Sequence, residues 1–116
     1  MIVNIDNLPA TTFGSAFETA GLSAYAWSPP SSTIGFTSWP TLGSLIDAKT
    51  NVVVFMDNTA SFEQVPYIID EFSNMFEDAY GVTDQSFGCA VNRTNGDPGS
   101  QLMLVNHYLD TVRCTS

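Results

Sequence analysis

The chain has 116 residues, 44% of them hydrophobic, which is enough for one ordinary domain. Asp and Glu total 12 and Lys and Arg total 3, a net charge of −9 that repels phosphate backbones and excludes typical nucleic acid binding. It also excludes a polybasic membrane-binding segment. No apolar run reaches the roughly 18 residues of a membrane span, and the first residues lack the pattern of a signal peptide.

The first half of the chain alternates apolar runs with helical patterns. Residues 1–5 form an apolar run too short for a helix, which predicts a strand. Apolar residues then recur at helical spacing from 13 to 20. Pro9 suits the first turn of this helix and Gly21 suits its C-terminal cap. Residues 28–38 are rich in Ser and Pro and predict a loop.

The second half begins with a short helix for which Thr41 is the expected N-cap. Residues 52–56 give the clearest strand, apolar on both faces as parallel sheets require. Residues 65–80 have an apolar and an acidic side at helical spacing, which favours a helix. A long loop is predicted for 80–100, followed by a third strand at 102–105.

A further helix is predicted to begin at Tyr108, so strands and helices alternate along the chain. This order predicts an α/β fold with about three parallel strands and right-handed crossovers. A closed (β/α)8 barrel takes about 250 residues, so the chain would supply part of one, or else a small open sheet. A flavodoxin-like domain is a weaker alternative, because Asp6-Asn-Leu-Pro9 stands where a Gly-rich phosphate loop would follow the first strand.

A family resemblance runs through nearly the whole chain in five segments: Trp39-Pro-Thr-Leu-Gly, Val53-Val-Phe-Met-Asp, Val65-Pro-Tyr-Ile-Ile-Asp-Glu-Phe, Val82-Thr-Asp and Leu104-Val-Asn-His-Tyr-Leu-Asp. Together they resemble the fungal phosphatidylinositol-specific phospholipase C-like phosphodiesterases. The resemblance implies one incomplete domain over residues 1–116, covering about the fourth to the sixth strand of a TIM barrel. It also implies an extracellular phosphoric diester hydrolase that acts on inositol phospholipids.

In that superfamily a histidine pair supplies the general base and the general acid. The inositol 2-hydroxyl attacks phosphorus, the diacylglycerol oxygen leaves and a cyclic phosphate forms. The Gly-Thr-His-Asp-Ser type motif of the family does not occur in this sequence, whose one histidine is His107. We therefore expect no catalytic residue in this chain and no activity of the chain alone. The alternative is a catalytically inactive, secreted binding domain derived from the same fold.

Four polar residues follow the predicted strands and are the candidates for substrate binding: Asp6, Asp57, Asn106 and His107. Parallel strands bring their carboxyl ends to one edge of a sheet, so we expect these residues to lie together. Asp57 equally suits a turn cap, and for Asp6 a cap at the start of the helix is the favoured interpretation. His107 is the one side chain expected to titrate near neutral pH, but single histidines are usually structural.

Other polar residues suggest modification rather than chemistry. Cys89 and Cys114 match no metal spacing and leave one disulfide or two free thiols open. Asn92-Arg-Thr94 is a glycosylation acceptor sequence. An acidic set is predicted to form a solvated helix face rather than a cation site: Asp70, Glu71, Glu77 and Asp78.

No metal or cofactor is expected. The predicted partners are a small molecule or a lipid headgroup. The open edges of an incomplete sheet could also pair with another chain.

Overall fold

Four short strands form two parallel pairs. The computed structural model describes residues 1–85, 88–106 and 108–110. Within these ranges the strands are β1 (Val54–Met56), β2 (Ile68–Asp70), β3 (Met75–Glu77) and β4 (Leu102–Leu104). β1 pairs with β2 and β3 pairs with β4, in both cases parallel. The molecule is therefore a mixed α/β protein with small parallel sheets, as the class prediction stated.

The N-terminal segment lies beside β1. Ile2 forms a parallel bridge with Met56, its amide donates to the carbonyl of Phe55 at 2.7 Å, and its carbonyl accepts from Asp57 at 3.2 Å. The predicted strand over residues 1–5 is thus reduced to one bridged residue with the expected parallel direction. A second parallel bridge joins Ala26 to the start of the same stretch at Val52.

The prediction of a single helix over residues 65–80 was wrong. The segment runs as β2, one turn of helix α3 (Glu71–Asn74) and β3. Asp70 caps that turn, because its Oδ1 accepts from the Ser73 amide at 2.7 Å. The buried pair Ile68 and Ile69 is β-branched and suits a strand. The predicted third strand, β4, consequently pairs with β3 and not with β1.

Two predicted helices are confirmed, with the caps expected at Gly21 and Thr41. Pro9, expected in the first turn of the first helix, is instead the extended N-cap residue that precedes it. Helix α1 (Ala10–Thr19) is followed by its C-cap residue, Ala20, and then by Gly21, whose φ of 70° is the left-handed conformation that favours glycine. Helix α2 (Leu42–Asp47) begins at Thr41, whose hydroxyl oxygen accepts from the Ser44 amide at 3.2 Å. Three 3₁₀ turns complete the helical elements of the described ranges: Ser23–Tyr25, Phe36–Ser38 and Pro98–Ser100.

The main core lies where α1 packs on the first strand pair. Its buried members are Ala10, Val54, Met56, Val65 and Ile68, against which Phe13 and Phe17 of α1 pack. Burial of these side chains holds β1 and β2 in position, and it thereby positions the residues at the carboxyl ends of these two strands.

The remaining predictions concern the loops and the C-terminus. Residues 108–110 are not helical, so they do not begin the predicted helix; residues 111–116 lie outside the described ranges. Among the described residues no helix is long and apolar enough to cross a membrane.

Candidate functional site

The carboxyl ends of all four strands open onto one cleft of about 520 Å³. Pockets that bind small ligands typically measure roughly 300–1,000 Å³. Asp57 follows β1, Glu71 follows β2, Glu77 ends β3 and Asn106 lies two residues beyond β4. Each strand therefore contributes one carboxylate or amide to the same cleft, as expected for parallel strands.

Asp57 is held by the neighbouring segment. Its Oδ1 accepts a hydrogen bond from the amide of Asn4 at 2.9 Å and another from Nδ2 of Asn58 at 3.1 Å. Both bonds fall on the same carboxylate oxygen, which leaves Oδ2 as the atom available to a ligand. Asp57 therefore lines the cleft, as one interpretation of the sequence expected, whereas the bonds of its carboxylate go to Asn4 and to the Asn58 side chain and do not form a turn cap.

Asn4 is the centre of the polar network behind Asp57. Its side chain is 2% exposed. The Nδ2 group donates to the carbonyl of Leu8 at 2.9 Å and to Oγ1 of Thr59 at 2.6 Å, and Oδ1 accepts from the Leu8 amide at 2.9 Å. These bonds join the turn after the N-terminal segment to the turn after β1, where Thr59 has a φ of 57°.

Arg93 brings the basic group of the cleft. Its guanidinium carbon lies 3.7 Å from the ring centroid of Phe72, a cation–π contact, and Nη2 donates to the backbone carbonyl of Asp57 at 3.4 Å. Arg93 reaches this position because its backbone forms an antiparallel bridge with Glu77. These contacts are with a ring and a neutral carbonyl, so the positive charge remains available to an anion.

Phe72 connects the floor of the cleft to the loop above it. Its side chain is buried under Arg93, and its backbone carbonyl accepts two hydrogen bonds from that loop. The donors are the amide of Asn95 at 2.8 Å and Nε2 of Gln101 at 2.9 Å. The conformation of the loop therefore depends on the position of α3.

Glu71 is a buried carboxyl at the base of the cleft. It is 1% exposed, and its Oε2 has no hydrogen-bond partner among the described residues. Burial raises the pKa of Glu71, and the nearby charges of Glu77 and Asp57 raise it further; Arg93 and the N-terminal ammonium act in the opposite direction. The neutral acid is therefore favoured to higher pH than for an exposed glutamate.

Asn106 is largely committed to contacts within the protein. Its Nδ2 donates to Oε2 of Glu77 at 3.0 Å and to the carbonyl of Asp78 at 3.2 Å. Its backbone amide donates to Oδ1 of Asp78 at 2.7 Å. The side-chain oxygen Oδ1 is consequently the atom of Asn106 left to meet a ligand.

The four candidate binding residues are only partly brought together. Asp57 and Asn106 both line the cleft, whereas Asp6 lies exposed in the turn after the N-terminal segment and does not. His107 lies outside the described residues. The substrate-binding roles assigned to all four from the sequence stay predictions. The interpretation of Asp6 as a helix cap was wrong, because the N-cap residue of α1 is Pro9 and no side chain caps that helix.

The interpretation of the acidic set as a solvated face was wrong. Glu71 and Asp78 are buried, because the segment is strand, turn and strand rather than one helix. Sequence analysis therefore missed Glu71, Glu77 and Arg93 as cleft residues. The acidic pair Asp70-Glu71 directly after the β-branched pair at 68–69 was the one local signal for Glu71.

The cysteines and the possible metal ligands give no second site. Cys89 is exposed and has no disulfide partner among the described residues, while Cys114 lies outside them. The predicted pairing therefore stays open. In the described ranges no three His, Cys, Asp or Glu side chains are arranged to hold a metal ion.

These features define an α/β protein with a polar cleft at the carboxyl ends of its parallel strands. The chain belongs to the PI-PLC X family, the phosphatidylinositol-specific phospholipase C X domain, because the family model described as PI-PLC X 1 matches residues 1–114. The family resemblance seen in the sequence is thereby confirmed.

Two proteins of Arthroderma benhamiae are similar to the chain. A "PI-PLC X domain-containing protein 1" is 37% identical over 113 residues, which are 95% of this chain and 37% of that protein. An "Uncharacterized secreted protein" is 32% identical over 114 residues, 95% of this chain and 26% of that protein. The chain thus spans well under half the length of either relative. No solved structure matches it significantly.

Proposed function

We propose that the chain forms part of the headgroup-binding wall of an extracellular phosphoric diester hydrolase that acts on inositol phospholipids or related phosphodiesters. The observation that carries the proposal is the delivery of one polar side chain from each of the four strands to a single cleft. Membership of the PI-PLC X family supports the reaction class. The short parallel pairs are compatible with a section of a (β/α)8 barrel. One relative is named as a secreted protein, which supports the location.

The cleft offers complementary groups to a phosphorylated polyol. Arg93 makes no ion pair with a carboxylate among the described residues and would bind the phosphate, for which a guanidinium is well suited. The free oxygens of Asp57 and Asn106 would accept hydrogen bonds from ring hydroxyls. The surrounding carboxylates would disfavour a ligand that carries further negative charge.

The same residues do not provide an acid–base pair. Cleavage of the phosphodiester needs a base for the attacking hydroxyl and an acid for the leaving oxygen. The sequence contains one histidine, and one group cannot occupy both positions. We therefore assign binding and orientation of the headgroup to this chain and propose that it does not cleave the substrate alone.

A second candidate function is an extracellular binding domain without chemistry. The commitment of the Asn106 amide to Glu77 and Asp78 favours a rigid binding surface, and the single histidine agrees with it. The two functions share the cleft and differ in catalysis. Turnover by a longer protein that includes this section with the cleft intact would support the hydrolase over the purely binding role.

Ligand titration tests the binding step that both functions need. The chain is titrated with myo-inositol 1-phosphate by calorimetry, with myo-inositol and inorganic phosphate as separate arms. Arg93→Gln should weaken binding of the phosphorylated ligand about tenfold, equivalent to roughly 1.4 kcal/mol. Lys49→Gln removes an equal charge from an exposed position outside the cleft and should leave the affinity unchanged. Equal affinities of the parent chain and Arg93→Gln would refute the assignment of Arg93.

A further inference from the structure

The acceptor sequence at residues 92–94 lies on the rim of the cleft. The backbone amide of Asn92 donates to the carbonyl of Glu77 at 2.8 Å, and the Glu77 amide donates to the carbonyl of Arg93 at 3.0 Å. This bridge holds the triplet against β3. Asn92 is exposed and nevertheless contributes to the lining of the cleft.

The three side chains of the triplet have different surroundings. Arg93 packs on Phe72, and the hydroxyl of Thr94 donates to Oε1 of Gln101 at 2.6 Å. The side chain of Asn92 makes no hydrogen bond to the part of the chain that the structure describes. Its amide nitrogen is thus the free group of the triplet, and it adjoins the basic residue of the cleft.

We propose that Asn92 carries an N-linked oligosaccharide whose first sugar lies on the rim of the cleft and screens Arg93. The inference rests on the proposed extracellular location, because the donor is a polyprenyl-pyrophosphate-linked oligosaccharide of the secretory pathway. In the transfer, Nδ2 of Asn92 attacks the anomeric carbon and loses one proton. The bond from that carbon to the pyrophosphate oxygen breaks, and the polyprenyl pyrophosphate leaves.

The position of the glycan has a consequence for ligand access. A chain of sugars on Asn92 begins one residue from Arg93, at the rim of the cleft that both residues line. A small phosphorylated polyol can pass beneath it, whereas a bulky anion meets the glycan first. Modification of Asn92 would therefore restrict the size of the ligands that reach the cleft.

Translation behind a secretory leader in the presence of microsomes tests the modification without requiring a folded product. The parent chain should gain one oligosaccharide that an endoglycosidase removes. Asn92→Gln and Thr94→Ala should gain none, and Thr94→Ser, which keeps the acceptor sequence, should behave as the parent. An unmodified parent chain would overturn the proposal.

A second measurement tests the position of the glycan. Protein secreted from yeast is labelled with phenylglyoxal, which reacts with guanidinium groups, and the rate at Arg93 is read by peptide mapping. Labelling should be several-fold slower in the parent and in Thr94→Ser than in Asn92→Gln. Equal rates would show a glycan that does not screen the cleft. Failure to bind myo-inositol 1-phosphate would refute the proposed function but alter neither result.

Discussion

Asn4 and Asp57, 53 positions apart in the sequence, are joined by a hydrogen bond of 2.9 Å from the backbone amide of one to Oδ1 of the other. The bond links the N-terminal segment to the residue that follows β1, at the edge where the cleft opens. Since Asn58 donates to the same oxygen, the orientation of Asp57 is determined by two groups that do not themselves line the cleft.

Replacement of Asn4 by alanine should strongly destabilise the fold. The change removes the acceptor of the Leu8 amide and the Asn4 donor to Thr59 from a buried position, while the Leu8 carbonyl keeps only its bond from the Thr59 hydroxyl at 2.8 Å. We expect a loss of about 2–4 kcal/mol in the free energy of unfolding, measured by urea denaturation. Asn51→Ala, at an exposed position, is the matched control and should change the free energy little. Similar losses for both variants would contradict the central role of Asn4.

Glu71 should make the stability depend on pH. Because its pKa is raised in the folded state, the folded protein binds more protons than the unfolded chain above the unfolded value of about 4.3. Stability should therefore fall as the pH rises from that value through the raised pKa, and then level off. Glu71→Gln should remove this part of the fall.

Urea denaturation between pH 4 and pH 8 measures this effect of Glu71. Glu63→Gln changes an exposed carboxyl and serves as the control. If the pH profile of Glu71→Gln follows that of the parent chain, the buried carboxyl is not its cause.

Two glycines within helices should respond oppositely to alanine. A Cβ at Gly14 would lie 3.0 Å from Cγ2 of the buried Val65, so crowding should outweigh the gain of about 1 kcal/mol in helix propensity. A Cβ at Gly43 would meet nothing closer than Oγ1 of Thr41 at 4.0 Å, so that variant should gain stability. Thermal unfolding of both variants measures the difference. A stabilised Gly14→Ala would mean that Val65 moves aside easily.

The isolated chain should not release inositol phosphate from phosphatidylinositol above the buffer background. Loss of a general acid or base typically costs about 10²–10⁴-fold per group, and the family histidine pair has no counterpart in this sequence. Turnover that disappears in a His107→Ala variant would overturn both this prediction and the assignment of binding alone.

Local signals in the sequence sufficed for the elements whose ends are capped. Thr41 and Gly21 each perform the capping role that their residue types indicate, so both helices fall where expected. The continuous β-branched run gave β1, and the parallel direction followed from its burial on both faces. Asp57 could be placed in the cleft on the same grounds, because it directly follows that strand.

The segment over residues 65–80 could not be predicted from its periodicity. Its apolar side chains fit a helix as well as two short strands. In the structure Asp70 ends β2 and caps a turn that stops at Asn74, whose side chain donates to the Asp70 carbonyl at 2.8 Å. Glu71 is buried because the segment changes from strand to a single helical turn at this residue instead of continuing as one exposed helix. Arg93 was missed for a different reason: it belongs to a loop and reaches the cleft through a tertiary contact, the bridge to Glu77.

The backbone carbonyl of Phe72 accepts hydrogen bonds from the Asn95 amide and from Nε2 of Gln101. The two nitrogen nuclei of these donors can therefore report on the cleft by NMR. A ligand that draws Arg93 away from the ring would disturb the carbonyl beneath it. Nitrogen chemical shifts at Asn95 and Gln101 would then register occupancy of a cavity that neither residue lines.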